Sequence, residues 1–593
     1  MIEERISFLM NENTLRRDTV RKTFYRFLFP TMISSVSLAV ISLTDMAIAG
    51  HFLGKEALSA ISIALPIILA VNILGALLGT GAAIFISMQL GKGNKKVCSE
   101  IFTNACFFAL LVSVIVTILG NIFTEEIMFL CGAADPALRD NAEKYIRPIM
   151  IGFVPMVFSP ILNTFLRNDS KPNVSMKIVI ITGMINLVGD VFFAAVLKMG
   201  LTGIAAASVL AQTLSAIAAG TVLLRRSSVF KIVKTKISLK LLKSMISPGL
   251  PMAMIFLLQI LLTSFINRTL MKCGGVDGVA SYAVIKYIVT FIYALFDGVT
   301  GAVQPMLGIY FGEGEKENIK TTSVIAFRTI ILIGIGLMLI LELFAPQICK
   351  ILGAGEGELA QTVITSVRIQ AVYCVSAAAI AFLNSYYRCT GHEMFSMLIT
   401  IMNNCVFPFA LISVIAHVSN YSVYSVYFGL VASDIATLLF WLLFRRAAVK
   451  ETHDEDPSAV IFTKIIPLEE EYVHSLLDEV EKIGEEYDFS PKISYYISIC
   501  MEEMVVNTMQ MAKNDRKKYN VDVKIKQLTD GEIVIRIRDD FIEFDPTAKT
   551  ANTVEEAAEE ESFNLLGIGI VKGVAKEYDY KRTIGFNNFR IVL

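Results

Sequence analysis

Five acidic residues stand inside or at the ends of long apolar runs: Asp45, Asp190, Asp297, Glu342 and Asp434. An acid at the centre of a bilayer costs about 2.5 kcal/mol or more, so one kept there is a functional candidate by default. Asn186 precedes Asp190 by four residues on what must be a helix. That spacing places both on one face, where two oxygens could bind one cation. A second group of candidates lies near the C-terminus, in sequence of a different kind. In Glu502-Glu503-Met-Val-Val-Asn507, Glu503 and Asn507 fall one helical turn apart, a pairing that suits a general base beside a Mg²⁺ ligand. Asp539-Asp540-Phe541 follows a strand pattern, and Gly567-Ile-Gly569 is read as a turn opening a helix. Backbone amides there can approach phosphates without a Cβ in the way.

The elements that must hold these groups divide the chain in two. Of 593 residues, 54% are hydrophobic and 18% charged, against about 25% charged in soluble domains. Residues 27 to 446 hold twelve apolar segments of spanning length, the first at 27–50 and the last at 424–444. Each must be a helix, because lipid offers no partner to an unpaired backbone group. From Glu451 onward charged residues are frequent and strand patterns alternate with helical ones. The fold class expected is an all-α polytopic membrane protein of twelve helices in two six-helix lobes, with a C-terminal α+β domain. Its boundaries are a segment 1–23, a lobe 24–224, a basic linker 225–245, a lobe 246–448, a linker 449–458 and a domain 459–593.

A net charge of −1 argues against a nucleic-acid partner. The nine cysteines form no CxxC pair and the five histidines are scattered, which argues against a disulfide framework or a zinc site. The N-terminal stretch with Arg16, Arg17, Arg21 and Lys22 does not read as a cleavable leader. Basic residues gather in alternate loops, which predicts a multi-pass plasma-membrane protein with both termini in the cytoplasm.

An internal repeat supports the two lobes. At an offset of 221, Pro30 meets Pro251, Gly91 meets Gly312, Leu162-Asn163 meets Leu383-Asn384, Arg167 meets Arg388 and Ser175-Met176 meets Ser396-Met397. An even number of spans per copy makes the repeat parallel, about an axis normal to the membrane. The partner of Asp190 at this offset falls near Pro408 and is not an acid.

The membrane region resembles the multidrug and toxic compound extrusion (MATE) family. The residues that carry this are Thr44-Asp45 with Gly50-His51-Phe52-Leu53-Gly54, Gln89-Leu90-Gly91-Lys92-Gly93, Asn186-Leu-Val-Gly-Asp190 with Gly200-Leu-Thr-Gly203, and Gln304-Pro305 with Phe311-Gly312. The resemblance implies export of an organic solute in exchange for Na⁺ or H⁺, with Asp45, Asn186 and Asp190 at the cation site. A lipid or polysaccharide flippase is the neighbouring alternative. The tail motifs, with the closing Gly585-Phe-Asn587 stretch, resemble GHKL ATPases of the anti-sigma-factor serine kinase branch. That resemblance implies ATP and Mg²⁺ as cofactors. Glu503 would be the catalytic base, Asn507 the Mg²⁺ ligand, Asp539 the adenine reader, and Gly567 and Gly569 the phosphate contacts. It also implies an anti-sigma-antagonist-like protein partner and serine/threonine phosphorylation. Phe541 stands where that family has glycine, which leaves a docking module as the alternative for the tail. A further alternative is a membrane sensor whose transporter-like core controls the tail. No GxxxxGK[ST] loop is present to power transport directly.

Overall fold

The structure is a computed structural model that describes residues 2–53, 55–130, 136–225, 228–236, 238–351, 357–449, 459–513, 515, 517–528, 531–545 and 564–593. Most of the linker expected at 449–458 therefore lies outside the described residues. The chain forms two compact units, one of residues 24–453 and one of residues 1–23 with 454–593.

The regular elements of the first unit are all helices among the described residues. Eleven of its described helices are long and apolar enough to span a membrane. A twelfth span is the pair Arg139–Ile151 and Phe153–Asn168, bent by 57°. Gly152 sits at the bend, with Val209 packed where a Cβ would be. Large apolar side chains such as Leu343, Leu443 and Ile118 remain exposed, as helices facing lipid require. Small and polar residues pack inward: Ala82, Ala83, Ala105 and Ser87 are fully buried.

The repeat is reproduced down to individual hydrogen bonds. Ser175 Oγ donates to the carbonyl of Asn163 at 3.2 Å, and its copy Ser396 donates to the carbonyl of Asn384 at 3.1 Å. The two halves touch where side chains are absent. A Cβ on Gly91 would lie 2.2 Å from the Ile309 carbonyl and 2.8 Å from Gly312 Cα. One on Gly81 would meet the Met245 carbonyl at 2.3 Å, and one on Gly308 would meet Ser87 Cβ at 2.5 Å. Only glycine lets these backbones approach so closely. Gly91 and Gly312 are repeat copies of each other, so the pseudo-two-fold axis passes between them, next to the basic loop at Lys92, Lys95 and Lys96.

Among the described residues three π-helical turns interrupt the spans, at Gly75–Thr80, Val191–Val196 and Met402–Val406. The second begins directly after Asp190 and the third contains Asn403. Such turns leave local backbone groups out of the regular ladder and recur at functional sites.

The tail is an α+β layer. Its sheet has five antiparallel strands in the order β1-β2-β3-β5-β4, with β1 at Ala459–Pro467, β2 at Asn520–Gln527, β3 at Ile533–Asp539, β4 at Glu577–Thr583 and β5 at Phe586–Val592. Alternation of apolar residues puts Val523 opposite Ile537, and Ile537 opposite Phe589, in one buried row. Helices Glu470–Glu486 and Pro491–Ala512 cover that face through Val473, Leu476, Met501 and Val505. Ser490 caps the second of them by accepting from the Ile493 amide. Strand β4 is absent from the sequence reading, because Glu577, Asp579 and Lys581 dilute its alternation. The first residues of the chain join this unit: Asn520 Nδ2 donates to Thr19 Oγ1 at 3.2 Å.

Candidate functional site

Asp190 ends the helix Pro172–Asp190 and is fully buried. Asp45 lies on the long first helix, Ile2–Leu53, and its carboxyl faces that of Asp190 closely enough for direct interaction. Asn186 Nδ2 donates to Asp190 Oδ1 at 3.2 Å and approaches Ser208 Oγ at 3.3 Å. As placed, the amide nitrogen of Asn186, not its oxygen, faces the acid, so Asn186 orients Asp190. A flip of the amide would turn its oxygen toward a cation. Among the described residues, Asp45 Oδ1 and Asp190 Oδ2 have no hydrogen-bond partner. The Tyr145 hydroxyl lies within electrostatic reach of both carboxyls. Two facing carboxylates in a low dielectric cannot both stay ionised without a positive charge between them. A proton or a monovalent cation satisfies that demand, and two orphaned oxygens fit it. Among the described residues no group of three or more acid, histidine or cysteine side chains gathers anywhere.

The second lobe has its own acid, in a place the repeat offset does not indicate. Asp434 accepts from Asn403 Nδ2 at 2.7 Å and from Ser376 Oγ at 2.9 Å, and it is 3% exposed. Thr437 joins the cluster at 3.5 Å from Asn403. Both Asp434 oxygens have partners, unlike those of the first-lobe pair. Asn403 carried a readable signal, an amide in an apolar span, but its approach to Asp434 depends on the π-helical turn around it. Asp297 joins neither acid cluster; its side chain is exposed between the lobes. Glu342 is half-buried in the helix Lys316–Ile351 and also joins neither.

In the tail, two helices converge. Glu503 and Asn507 lie on one face of Pro491–Ala512. Gly567 packs directly on that face: a Cβ there would lie 1.7 Å from Glu503 Oε2 and 3.3 Å from Asn507 Nδ2. Gly567 and Gly569 were expected in a turn that opens a helix. Instead the helix runs Asn564–Val574 and both glycines are inside it. The helix packs close against Glu503, and a side chain at Gly567 would displace the Glu503 carboxylate. Burial, and secondarily the neighbouring Glu502, push the Glu503 carboxyl above its usual value.

Asp539 ends β3 and is 1% exposed. Its Oδ1 accepts from Asn587 Nδ2 at 2.8 Å and from the Phe541 amide at 3.0 Å, while its Oδ2 has no partner among the described residues. Burial pushes this carboxyl up to about 7, against the opposing pull of those two hydrogen bonds. Asn587 is the hub that the sequence reading left without a role. Its Oδ1 accepts from Tyr580 Oη at 2.9 Å and Arg582 Nη1 at 2.8 Å. The Phe541 ring packs edge-on against Tyr519, with centroids 5.1 Å apart, and is 8% exposed. That is where the bulk replacing the expected glycine goes. A buried acid with one open oxygen fits an adenine amino group. The Glu503–Asn507–Gly567 junction fits a Mg²⁺-bound phosphate chain beside a side-chain-free helix.

Comparison with known proteins agrees with both halves. The MatE family profile matches residues 30–192 and 251–413, the second match beginning and ending 221 residues after the first. A profile described as a histidine kinase-like ATPase domain matches residues 466–592. The probable multidrug resistance protein YoeA of Bacillus subtilis is 23% identical over 351 residues, covering 56% of this chain and 74% of that protein. The probable multidrug resistance protein NorM of Thermotoga maritima is 21% identical over 395 residues, covering 65% and 83% respectively. A solved multidrug resistance MATE family transporter in an outward-facing conformation aligns with a TM-score of 0.68 at 22% identity, over 74% of this chain and 99% of that one. With the repeat, the two-lobed helical fold and the tail sheet in agreement, the chain belongs to the MatE family and carries a C-terminal histidine kinase-like ATPase domain.

Proposed function

We propose that the membrane unit exports an organic solute in exchange for Na⁺ or H⁺, and that the tail binds Mg·ATP to regulate that export or to signal through it. The observation that carries the first part is the facing pair Asp45 and Asp190, each with an orphaned oxygen. Such a pair binds a cation or proton when alone and releases it when a conformational change brings in water. Relatives whose names describe multidrug resistance support an organic solute as the cargo. The basic loops support cytoplasmic termini in the plasma membrane. In the tail, Asp539 would hold the adenine amino group, Asn507 the metal, and the backbone at Gly567 the phosphates. Bound ATP would supply a phosphoryl group. Glu503, held above the usual carboxylate range, is suited to accept a proton from an incoming hydroxyl of an anti-sigma-antagonist-like protein.

The test is uptake of fluorescent organic dyes, one anionic and one cationic, into everted vesicles. A Na⁺ or H⁺ gradient should drive uptake, and collapsing it should stop uptake. Uptake indifferent to both gradients would overturn the coupled-export reading.

A further inference from the structure

Arg167 and Arg388 are copies of one another at the 221-residue offset, and the fold brings both to the same acid. Each guanidinium lies within electrostatic reach of Asp297, in the span Asp277–Glu313. Arg167 also touches the helix of Asp297: its Nη1 is 3.9 Å from the Cβ position of Gly301, one turn along the same face. Among the described residues neither arginine closes an ion pair within 4.0 Å of that carboxylate. Arg167 Nη2 donates to Thr164 Oγ1 at 3.0 Å and Arg388 Nε to the Asn384 carbonyl at 3.2 Å, so both side chains are held in place. Arg388 Nη1 is buried and has no partner among the described residues. Asp297 is exposed, and it precedes the Gly308 contact by eleven residues, roughly 16 Å of helix. The lobes also touch beside Asp297, where Thr31 Oγ1 donates to the Gly298 carbonyl at 2.7 Å, but the Asp297 side chain itself remains exposed.

Two guanidinium groups against one carboxylate leave one positive charge over, in a setting where an uncompensated charge is costly. Planar guanidinium forks with an open donor match an oxyanion in geometry and charge. We propose that Arg167 and Arg388 form a symmetric oxyanion site between the lobes, which binds the carboxylate or phosphate of the transported solute. Asp297 is the internal anion that competes for the pair, and it is available to a cationic group on the same solute. This rests on the reading of the space between the lobes as the solute path, and it narrows the cargo to organic anions and zwitterions.

The experiment measures binding to the purified full chain in detergent by fluorescence polarisation, with carboxyfluorescein as the anionic probe and ethidium as the cationic one. Short-chain phosphatidic acid serves as competitor, to separate a lipid phosphate from a soluble carboxylate. Carboxyfluorescein should bind, and Arg167→Gln or Arg388→Gln should weaken it about tenfold or more, as loss of a charge-assisted contact implies. Arg388→Lys should weaken it less. Asp297→Asn should tighten it, by removing the competing carboxylate, and should weaken ethidium. Displacement by phosphatidic acid but not by benzoate would assign the site to a lipid phosphate; the reverse would assign it to a soluble carboxylate. Absence of carboxyfluorescein binding, or binding unchanged in both Gln variants, would overturn the proposal. So would equal loss of both dyes in the Gln variants with Asp297→Asn inert, which would make the arginines structural. Gradient-driven dye uptake in vesicles reports separately on coupled export, so either reading can fail without the other.

Discussion

Asp45 and Asp190 differ from Asp434 in the company they keep. Both Asp434 oxygens are satisfied by amide and hydroxyl donors, whereas the first-lobe pair leaves an oxygen open on each acid. Asp190→Asn keeps the shape and the hydrogen bond from Asn186 but removes the charge that must be exchanged. Folding should be retained, and gradient-driven uptake should fall to background in the vesicle assay; full coupling in both Asp190→Asn and Asp45→Asn would remove the pair from the mechanism. Asp539 makes a pH prediction. Its folded value of about 7 lies above the ordinary carboxyl value of an unfolded chain. The proton it holds therefore stabilises the folded tail fully below about pH 4, and that stability is lost as pH rises through 7, by at most on the order of 4 kcal/mol. Hydrogen exchange of β3 and β5 in the full chain should be faster at pH 8 than at pH 5, beyond the intrinsic effect of pH, and Asp539→Asn should flatten that difference. At this scale the sequence was a fair guide. An acid in an apolar run is visible one residue at a time, and so were Asp45, Asp190 and Asp434. The hub role of Asn587 was not, because a side chain between two strands shows its partners only once the register is set.

Helices and strands show the same division. Twelve apolar segments and the alternation of Val521, Val523 and Ile525 can be read from residue type alone. The π-helical turns cannot, since they answer to packing around Asp190 and Asn403 and not to local preference. Gly567 shows how a glycine can be noticed for one reason and used for another. Its place in the helix Asn564–Val574 is against the Glu503 carboxylate, so Gly567→Ala should push that carboxylate aside. ATP affinity of the full chain, followed with a fluorescent nucleotide analogue, should drop severalfold, in line with the low end of overpacking costs of about 1–3 kcal/mol. An unchanged affinity would separate this helix from nucleotide binding. The lobe contact makes a parallel case. Gly91→Ala should place a methyl group against the Ile309 carbonyl and destabilise the state in which the basic-loop ends meet. Spin labels at the exposed positions Lys96 and Lys320 should report a shift of population toward wider separations; an unaltered distance distribution would mean that the backbones give way without cost.

For the whole molecule, the prediction concerns whether the tail speaks to the membrane unit. If ATP regulates export, millimolar Mg·ATP on the tail side of vesicles should change the gradient-driven rate, and Asn507→Ala should abolish that response while leaving the basal rate alone. An identical response in both would leave the tail with a signalling or docking role only. The two-unit plan and the sixfold-plus-sixfold arrangement were legible because composition and the 221-residue offset extend over hundreds of residues. That Asp434 is the second lobe's acid could not be read from the offset, because that lobe places it on its last span instead of repeating Asp190.

The meeting of Gly91 with Gly312 has an evolutionary side. A position that touches its own duplicate is the signature of an isologous interface, the kind made by two identical subunits about a dyad. A six-span half could close on a second copy of itself through that same glycine, before any linker joined them. Once the two halves were fused, each became free to drift, and the acids did so: Asp190 in one half, Asp434 in the other. The glycines at the axis were not free in the same way, because a side chain gained on either one would meet the backbone of the other. Divergence in ligand chemistry with conservation at the dyad is the pattern expected of a dimer that became a single chain.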